Sequence, residues 1–445
     1  MASAFDYDIV VVGGGSGGIV SAVMAGGLGR RMALIEKHRL GGECLVAAAG
    51  GPPQLGPYLM ASEEPLRAIQ CVQHPWIDDF AACRNAAMEQ AQGDWLLWLE
   101  AGEVVPPATA EAVWQVVASR RDWQRAYQLP VRGSVHAGVR EQVYQLRLHP
   151  RRADVRFVGR VRERLEVGGG VGLGIETLGY PIVRSPAMGQ RDALQARAER
   201  SLRLAELAMA EQGESADLYN ELGDACLTMG RIGMAARHFH QALQQAATAS
   251  PEQLEAYYGL LTCLDAVGPD RHAQLSLVLS ALETFPLDAQ LLVALGGYLR
   301  SLDYLPTAVR AFDVAFREGQ VEPRLWHLVE IRELAAACGA STYLAMNRPD
   351  SALHLLEAAW RLSPSSGLLP RELAATYRRL GRLGEAERME SMLREELVDA
   401  VLDHPDGGAP GAARVRVDPP GEVPISVRPA AAEVVERRSL ARPDC

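Results

Sequence analysis

The first residues of the chain that could carry chemistry are the glycines of a Gly-x-Gly-x-x-Gly pattern. Gly13, Gly15 and Gly18 follow a short β-branched strand pattern and open an apolar helical pattern. In such a pattern the first glycine allows a tight turn, the second lets the backbone approach a pyrophosphate, and the third permits close helix–strand packing. With Ser16 they predict an anion-binding turn at a helix N-terminus. Glu36 ends the next strand pattern, where a carboxylate accepts the hydroxyl groups of a ribose.

The segment after this pattern points to a flavoenzyme. Residues 39–45 read Arg-Leu-Gly-Gly-Glu-Cys-Leu, which resembles the start of the redox disulfide of dihydrolipoamide dehydrogenase and mercuric reductase. The resemblance covers about the first 45 residues and implies FAD binding. Ala49 stands where that family has its second cysteine, and one thiol cannot cycle as an intramolecular disulfide. Two interpretations stay open: the βαβ unit binds a flavin, or it is a structural remnant without a cofactor.

The middle of the chain resembles family 2 glycosyltransferases of the GT-A fold, over about Val72 to Arg184. The resemblance implies transfer of a sugar from a nucleotide sugar, with Mn²⁺ or Mg²⁺ held by carboxylates at a strand end. By the same resemblance Glu100 and Glu103 are the metal-binding candidates, and Glu163 and Asp79 the catalytic ones. The motifs that carry it are Trp76 with Asp79-Phe80, Cys83-Arg84-Asn85, Gly93-Asp94-Trp95-Leu96, Glu100 to Glu103, and Val155 to Glu163.

The glycosyltransferase pattern is incomplete in this chain. Gly102 stands where the second aspartate of the Asp-x-Asp motif is expected, so Glu103 would have to replace it. Nothing before Trp76 resembles the two βα units that hold the nucleotide in a GT-A fold. Either the domain has decayed and caps the repeats described next, or the N-terminal βαβ unit completes its parallel sheet.

The C-terminal half shows a repeat of about 34 residues. Small residues recur at fixed register, as at Gly223 and Gly296, and a phenylalanine follows each at the same spacing, Phe239 and Phe312. Small residues let two antiparallel helices approach closely, and aromatic residues fill the gap to the next pair. The pattern predicts a tetratricopeptide solenoid whose groove binds a protein or peptide. Its second unit is imperfect, because Gly268-Pro269 displaces the second helix.

The expected architecture is an α/β N-terminal region, consisting of a Rossmann-like βαβ unit and a partial GT-A domain, followed by an all-α tetratricopeptide solenoid. The predicted segments are 1–45 (dinucleotide-binding fragment), 46–71 (linker), 72–185 (partial glycosyltransferase-like domain), 192–400 (repeats) and 401–445 (disordered tail).

The composition limits which classes of partner and which cellular location are expected. The formal charge is −10 and no block of like charge stands out, which argues against a nucleic-acid binder. The seven cysteines form no CxxC pair, as expected of reduced thiols in a cytoplasmic protein. The charge-free stretch from Ile9 to Gly29 has the glycine pattern of a phosphate loop, so we predict no membrane span there.

Three functions are compatible with these patterns. The first is sugar transfer from a nucleotide sugar, with the repeats recruiting a protein or glycan acceptor. The second is a non-catalytic tetratricopeptide scaffold for protein interactions. The third is an FAD- or NAD(P)-binding, oxidoreductase-like protein.

Overall fold

The chain divides into two compact units. A computed structural model of the 445-residue chain describes residues 9–12, 32–36, 69–73, 76–91, 94–100, 103–119, 123–136, 139–168, 172–184, 191–268 and 270–402. By their contacts, unit 1 lies within Met1–Ser134, Glu141–Ala246 and Pro323–Trp326, and unit 2 within Val135–Arg140, Ala247–Glu322 and His327–Cys445. Some residues singled out above lie outside the described ones: Gly13, Gly15, Ser16, Gly18, Cys44, Ala49, Gly102 and the tail from His404 onward.

Unit 1 begins with three parallel strands. They are β1 (Ile9–Val12), β2 (Met32–Glu36) and β3 (Ile69–Gln73), with β2 in the middle. The β-branched and apolar residues of β1 and β2 suit a strand that is buried between neighbours. β1 also runs close beside β4 (Trp95–Leu97). β4 itself belongs to the second sheet, described next, so both interpretations of the N-terminal segment stay open. Glu36 forms the end of β2.

The second sheet of unit 1 is built around one long central strand, β6. β7 and β11 flank β6 on its two sides, and β10 also pairs with β6. β5 lies at the edge beyond β11, and β4 pairs with β7. β8 and β9 form a separate antiparallel hairpin. The bounds are β5 (Glu103–Val104), β6 (Arg125–His136), β7 (Val139–Pro150), β8 (Val155–Val158), β9 (Arg164–Val167), β10 (Gly174–Thr177) and β11 (Ile182–Arg184).

Five helices belong to unit 1, among the residues that the structure describes. Two accompany the sheets and three form the first helical repeats: α1 (Phe80–Gln90), α2 (Pro107–Ser119), α3 (Arg191–Gln212), α4 (Ala216–Thr228) and α5 (Ile232–Gln245). α4 starts where the side chain of Ser215 accepts a hydrogen bond from the Leu218 amide, a regular N-cap. α4 and α5 pack so closely that a Cβ atom on Gly223 would lie 2.6 Å from the ring of Phe239.

Unit 2 consists mainly of helices that pack against their neighbours in sequence. A Cβ atom on Gly296 would lie 2.5 Å from the ring of Phe312, so the glycine–phenylalanine contact of unit 1 recurs here. The helices are α6 (Pro251–Val267), α7 (Arg271–Thr284), α8 (Ala289–Ser301), α9 (Leu305–Glu318), α10 (Ile331–Ala345), α11 (Pro349–Leu362), α12 (Leu369–Arg379) and α13 (Leu383–Leu402).

The prediction of helical repeats is confirmed, and the C-terminal region has a tetratricopeptide-like arrangement of helix pairs. The break at Gly268 is seen as well: α6 ends at Val267 with Gly268 as its C-cap, at a φ of 133°, and α7 begins at Arg271. A backbone in this region favours glycine, which explains the break. Among the described residues, none of the helices combines the length and the apolar character that a bilayer crossing requires.

One face of α8 is covered by the chain itself within unit 2. The segment between α9 and α10 carries the short strand β12 (His327–Leu328). The backbone amide of Leu328 donates to Gln290 Oε1 of α8 at 3.2 Å, and both residues are buried. Next to it, the Val329 amide donates to the carbonyl of Arg140 at 2.7 Å. This face of α8 is therefore closed to an external peptide in this conformation.

Candidate functional site

Unit 1 contains a cleft of about 1190 Å³. Its wall combines apolar rings and aliphatic side chains with charged groups from α1, α3, β7, β11 and the β8–β9 hairpin. Among the described residues, eight arginines and four glutamates line it, so the cleft carries an excess of positive charge. Two of the sequence-predicted site residues, Glu100 and Glu163, are among them.

Glu103 lies beneath this cleft and holds a buried arginine. The Arg147 side chain is 2% exposed and that of Glu103 is 0% exposed. Arg147 Nη2 donates to Glu103 Oε1 at 2.7 Å, and Arg147 Nη1 donates to the carbonyl of Trp98 at 3.2 Å. Arg184 Nε lies 3.5 Å from the same Glu103 oxygen. A pair this deeply buried is stable only when both charges are compensated, so Glu103 has a structural partner in place.

Glu100 faces the same arginines from the cleft side. Its Oε1 lies 3.7 Å from Arg147 Nη2, and its Oε2 lies 3.4 Å from Arg184 Nη2. Burial raises the pKa of the Glu100 carboxyl, but the charges of Arg147, Arg184 and Arg84 outweigh this and lower the pKa to about 2. Glu100 is therefore ionised at neutral pH and bound by cations that the protein itself supplies.

Glu163 is held by Arg84 of α1. Arg84 Nε donates to Glu163 Oε1 at 2.6 Å, and the guanidinium lies 5.2 Å and 5.3 Å from the ring centres of Trp98 and Phe157. Burial lowers the pKa of Arg84, but the charges of Glu163 and Glu100 raise it by more, so the net shift is upward. Asn85, the next residue, exchanges two hydrogen bonds with the backbone of Phe157 at 2.9 and 2.8 Å and fixes α1 against β8.

Asp79, the other catalytic candidate, does not join this cluster. It is the N-cap of α1, and its Oδ1 accepts a hydrogen bond from the Ala82 amide at 2.8 Å. A capping aspartate stabilises its helix by satisfying a free backbone donor. The structure thus brings together Glu100, Glu103 and Glu163, and places Asp79 at a helix end.

The donor set in this cluster does not fit a divalent cation. Each of the three glutamates already accepts from an arginine at 3.5 Å or less. The guanidinium groups of α1, β7 and β11 lie against the carboxylate oxygens that a metal ion would need as ligands. In the described part of the chain, no three histidine, cysteine, aspartate or glutamate side chains converge as metal ligands.

The arginines of this cluster are the functional residues that sequence reasoning missed. Arg147 begins an arginine-rich stretch that runs to Arg164, yet its side chain is buried and not exposed on the strand. Leu148 and His149 beside it are also buried, so this end of β7 is covered on both faces. Its position between two leucines could have indicated that Arg147 is buried. The sequence did not indicate its partner, because Glu103 lies 44 positions away.

His149 has a structural role. Trp98 Nε1 donates to His149 Nε2 at 2.8 Å, so the ring proton sits on Nδ1 and is donated to the Pro150 carbonyl at 2.9 Å. Burial lowers the pKa of His149 to about 4, and the imidazole is neutral. It supports the Trp98 ring on which Arg84 rests.

The cleft is tied to α4 by a charged clamp. Arg162, which lines the cleft, bonds Asp217 Oδ1 at 2.9 Å and Glu221 Oε2 at 2.8 Å, and lies 3.5 Å from Asp224 Oδ2. Arg162 has a φ of 51°, a left-handed conformation that a non-glycine residue adopts at a cost. Three carboxylates on one helix face compensate that cost. α4 is therefore part of the structure that shapes the cleft.

Comparison with known proteins gives three kinds of similarity. A family model described as FAD dependent oxidoreductase matches residues 8–157. A TPR repeat-containing protein of Synechococcus elongatus is 31% identical over 194 residues, which are 42% of this chain and 47% of that protein. The dihydrolipoyl dehydrogenase of Bacillus subtilis is 52% identical over 42 residues, which are 9% of each chain.

Solved structures are also similar to part of this chain. A crystal structure of MamA has a TM-score of 0.33 and 17% sequence identity, and the match covers 41% of this chain and 97% of that one. This chain spans less than half the length of the curated relatives just named. The repeat homologue supports a tetratricopeptide-repeat protein, and the dehydrogenase match is confined to a short segment that resembles a flavoenzyme start.

Proposed function

We propose that the protein is an interaction scaffold whose tetratricopeptide-type helices hold a protein partner. The observation that carries the proposal is the recurring helix pair, closed by Gly223 on Phe239 and by Gly296 on Phe312. Arrays of such pairs present an extended surface that is suited to a peptide or a protein. The similarity to a repeat-containing protein over 194 residues supports the same function. The proposal assigns no reaction to unit 1.

The face of α12 is the best candidate for the partner surface in unit 2. α10, α11 and α13 pack against α12, and its remaining side exposes Arg371, Ala375, Arg378 and Arg379 at helical spacing. Arg378 pairs with Glu390 at 2.6 Å. Arg371 and Arg379 form no ion pair among the described residues. A stripe of exposed arginines around a small residue favours an acidic partner segment, which it attracts over a distance of about 8 Å at physiological salt.

Site-specific crosslinking of the full-length protein in the cells that make it tests this proposal. A photoreactive residue at Ala375 is expected to capture a protein partner, whereas one at Arg310, exposed on α9, is not. The double variant Arg371→Glu/Arg379→Glu should abolish the adduct, and Arg310→Glu should leave it unchanged. Identical adducts at both positions, or an adduct that survives the charge reversal, would exclude this surface.

Sugar transfer from a nucleotide sugar is the second candidate, because Glu100 and Glu163 line one cleft. Metal-assisted transfer is disfavoured, because both carboxylates already accept hydrogen bonds from arginines. The test is donor consumption by the full-length protein with UDP- and GDP-sugars, with Mn²⁺ or with a chelator. Turnover that a Glu163→Gln variant loses would support sugar transfer. If there is no turnover in either condition, the scaffold function remains as the proposal.

Flavin binding by the first segment stays a prediction. The match of residues 8–157 to a flavoenzyme family supports it. The glycines that would hold the diphosphate, Gly13, Gly15 and Gly18, lie outside the described residues. A visible flavin spectrum that copurifies with the protein would establish it, and a colourless protein that gains no melting stability from added FAD would exclude it.

A further inference from the structure

Two arginines of the cleft in unit 1 bond no carboxylate among the described residues. The side chains of Arg197 and Arg200, both on α3, form neither an ion pair nor a hydrogen bond among the described residues. Arg200 instead stacks at 5.5 Å from the ring centre of Phe80. Both side chains line the cleft. They differ in this from Arg84 and Arg147, which each bond a glutamate.

The surroundings of these two arginines are unfavourable for a cation. Burial lowers the pKa of Arg197, and the charge of Arg184 lowers it further, with only partial compensation from Glu100. Burial also lowers the pKa of Arg200. Arginine stays charged at neutral pH nonetheless, so the protein holds close, half-desolvated positive charges that repel one another. Such an arrangement costs stability without a ligand and is typical of anion-binding sites.

Arg184 is already oriented for binding. Its guanidinium bonds Glu100 and Glu103 at 3.4 and 3.5 Å and lies 4.9 Å from the ring centre of Trp326. A planar guanidinium fixed in this way keeps further N–H donors for a second oxyanion and loses little entropy on binding it. Arg197 and Arg200 approach from α3 at positions one turn apart, so both reach the same cleft.

We propose that Arg184, Arg197 and Arg200 bind the phosphate group of a small organic phosphate without a metal ion. A phosphate dianion has three strongly accepting oxygens and about twice the charge of a carboxylate, so it can accept from several guanidinium groups at once. The rest of the cleft wall is rich in rings and aliphatic side chains, among them Trp76, Leu99 and Ile175. These accept the uncharged body of the ligand. The volume of about 1190 Å³ is large enough for a small organic molecule. The site is independent of the partner surface proposed for α12.

Calorimetric titration of the full-length protein in the presence of EDTA tests the site. The probes are phenyl phosphate and inorganic pyrophosphate, with phenol as the uncharged analogue and a hexaglutamate peptide as the acidic-peptide alternative. Phenyl phosphate should bind, pyrophosphate should compete with it, and phenol should not bind at the same concentration. Binding of hexaglutamate as tight as that of phenyl phosphate would overturn the assignment to a phosphate.

The variant Arg197→Gln separates a ligand-binding arginine from a structural one. Binding of phenyl phosphate should weaken at least tenfold, whereas the control Arg237→Gln, exposed on α5 outside the cleft, should change it less than twofold. Without ligand, Arg197→Gln should melt at the same temperature as the wild type or higher, because a repelled charge is removed. An equal loss in both variants, no binding by the wild type, or a lower melting temperature of ligand-free Arg197→Gln would each refute the proposal.

Discussion

The two units have different kinds of interior. Unit 1 contains buried guanidinium–carboxylate pairs, such as Arg147 with Glu103, surrounded by tryptophan and phenylalanine rings. Unit 2 is closed by small residues against aromatic rings, as at Gly296 and Phe312. The α/β part of unit 1 depends on charge compensation, whereas the helix pairs of unit 2 depend on shape, as does the pair that Gly223 closes in unit 1. A substitution that one unit tolerates is therefore expected to be costly in the other.

Buried polar groups occur in unit 2 as well, but they are arranged differently. Tyr258 donates to Asp288 Oδ2 at 2.7 Å, and Tyr298 donates to Asp265 Oδ1 at 3.1 Å. Neither carboxylate bonds an arginine directly among the described residues. Burial raises the pKa of Asp288 and that of Asp265 to about 6. These carboxylates thus shift in the opposite direction from Glu100 in unit 1.

The largest expected effect is the loss of one partner from the buried pair of unit 1. Glu103→Leu should lower the free energy of unfolding by about 3–5 kcal/mol, because the buried Arg147 loses the carboxylate that it bonds most closely. The double variant Glu103→Leu/Arg147→Met should recover most of this loss, since neither charge remains. Chemical denaturation with added EDTA measures both. If Glu103 served only as a metal ligand, the single variant would cost little under these conditions.

A smaller effect is expected from filling the close contact of unit 2. Gly296→Val should cost about 2–3 kcal/mol, because the new atoms meet the buried Phe312 ring and force it to move. Gly384→Ala in α13 is the matched control. A Cβ atom there meets nothing within 4 Å, and alanine favours a helix over glycine by about 1 kcal/mol. Thermal melting of both variants decides the point: a Gly296→Val protein as stable as the wild type would contradict close packing here.

The smallest expected effect is a dependence on pH that differs in sign between the units. Asp288 binds its proton more tightly in the folded state, so its contribution to stability is complete below about pH 4 and is lost as the pH rises through 6. His149 of unit 1, with a pKa near 4, contributes fully above its unfolded value and loses this as the pH falls towards 4. Asp288→Asn should remove a decline of about 1–3 kcal/mol between pH 4 and 6.

Denaturation curves of the wild type and the Asp288→Asn variant at several pH values measure this contribution. The variant keeps one accepting oxygen, so either the Leu291 amide or the Tyr258 hydroxyl loses its acceptor. This loss is the same at every pH and lowers the whole profile without changing its slope. Parallel pH profiles for the two proteins would show that Asp288 does not titrate in this range.

The sequence predicted unit 2 better than unit 1 for a physical reason. A repeat places its informative residues at a fixed short spacing, so Gly296 and Phe312 could be paired from the sequence, and even the break at Gly268 was visible. The ion pairs of unit 1 join residues that are far apart, such as Arg84 and Glu163, 79 positions apart. No local pattern records such a pairing. Glu100 and Glu163 were found as carboxylates, but the arginines that fix them were not.

The spacing of these contacts also bears on the order in which the protein folds during synthesis. Gly223 and Phe239 are close in sequence, so their helix pair can close soon after it leaves the ribosome, at a small loop-closure cost. Arg84 can bond Glu163 only after Glu163 has been synthesised, so α1 lacks this partner until then. The N-terminal α/β part, although made first, is therefore completed only when the chain beyond β8 has emerged, and it is the part that most needs protection from aggregation.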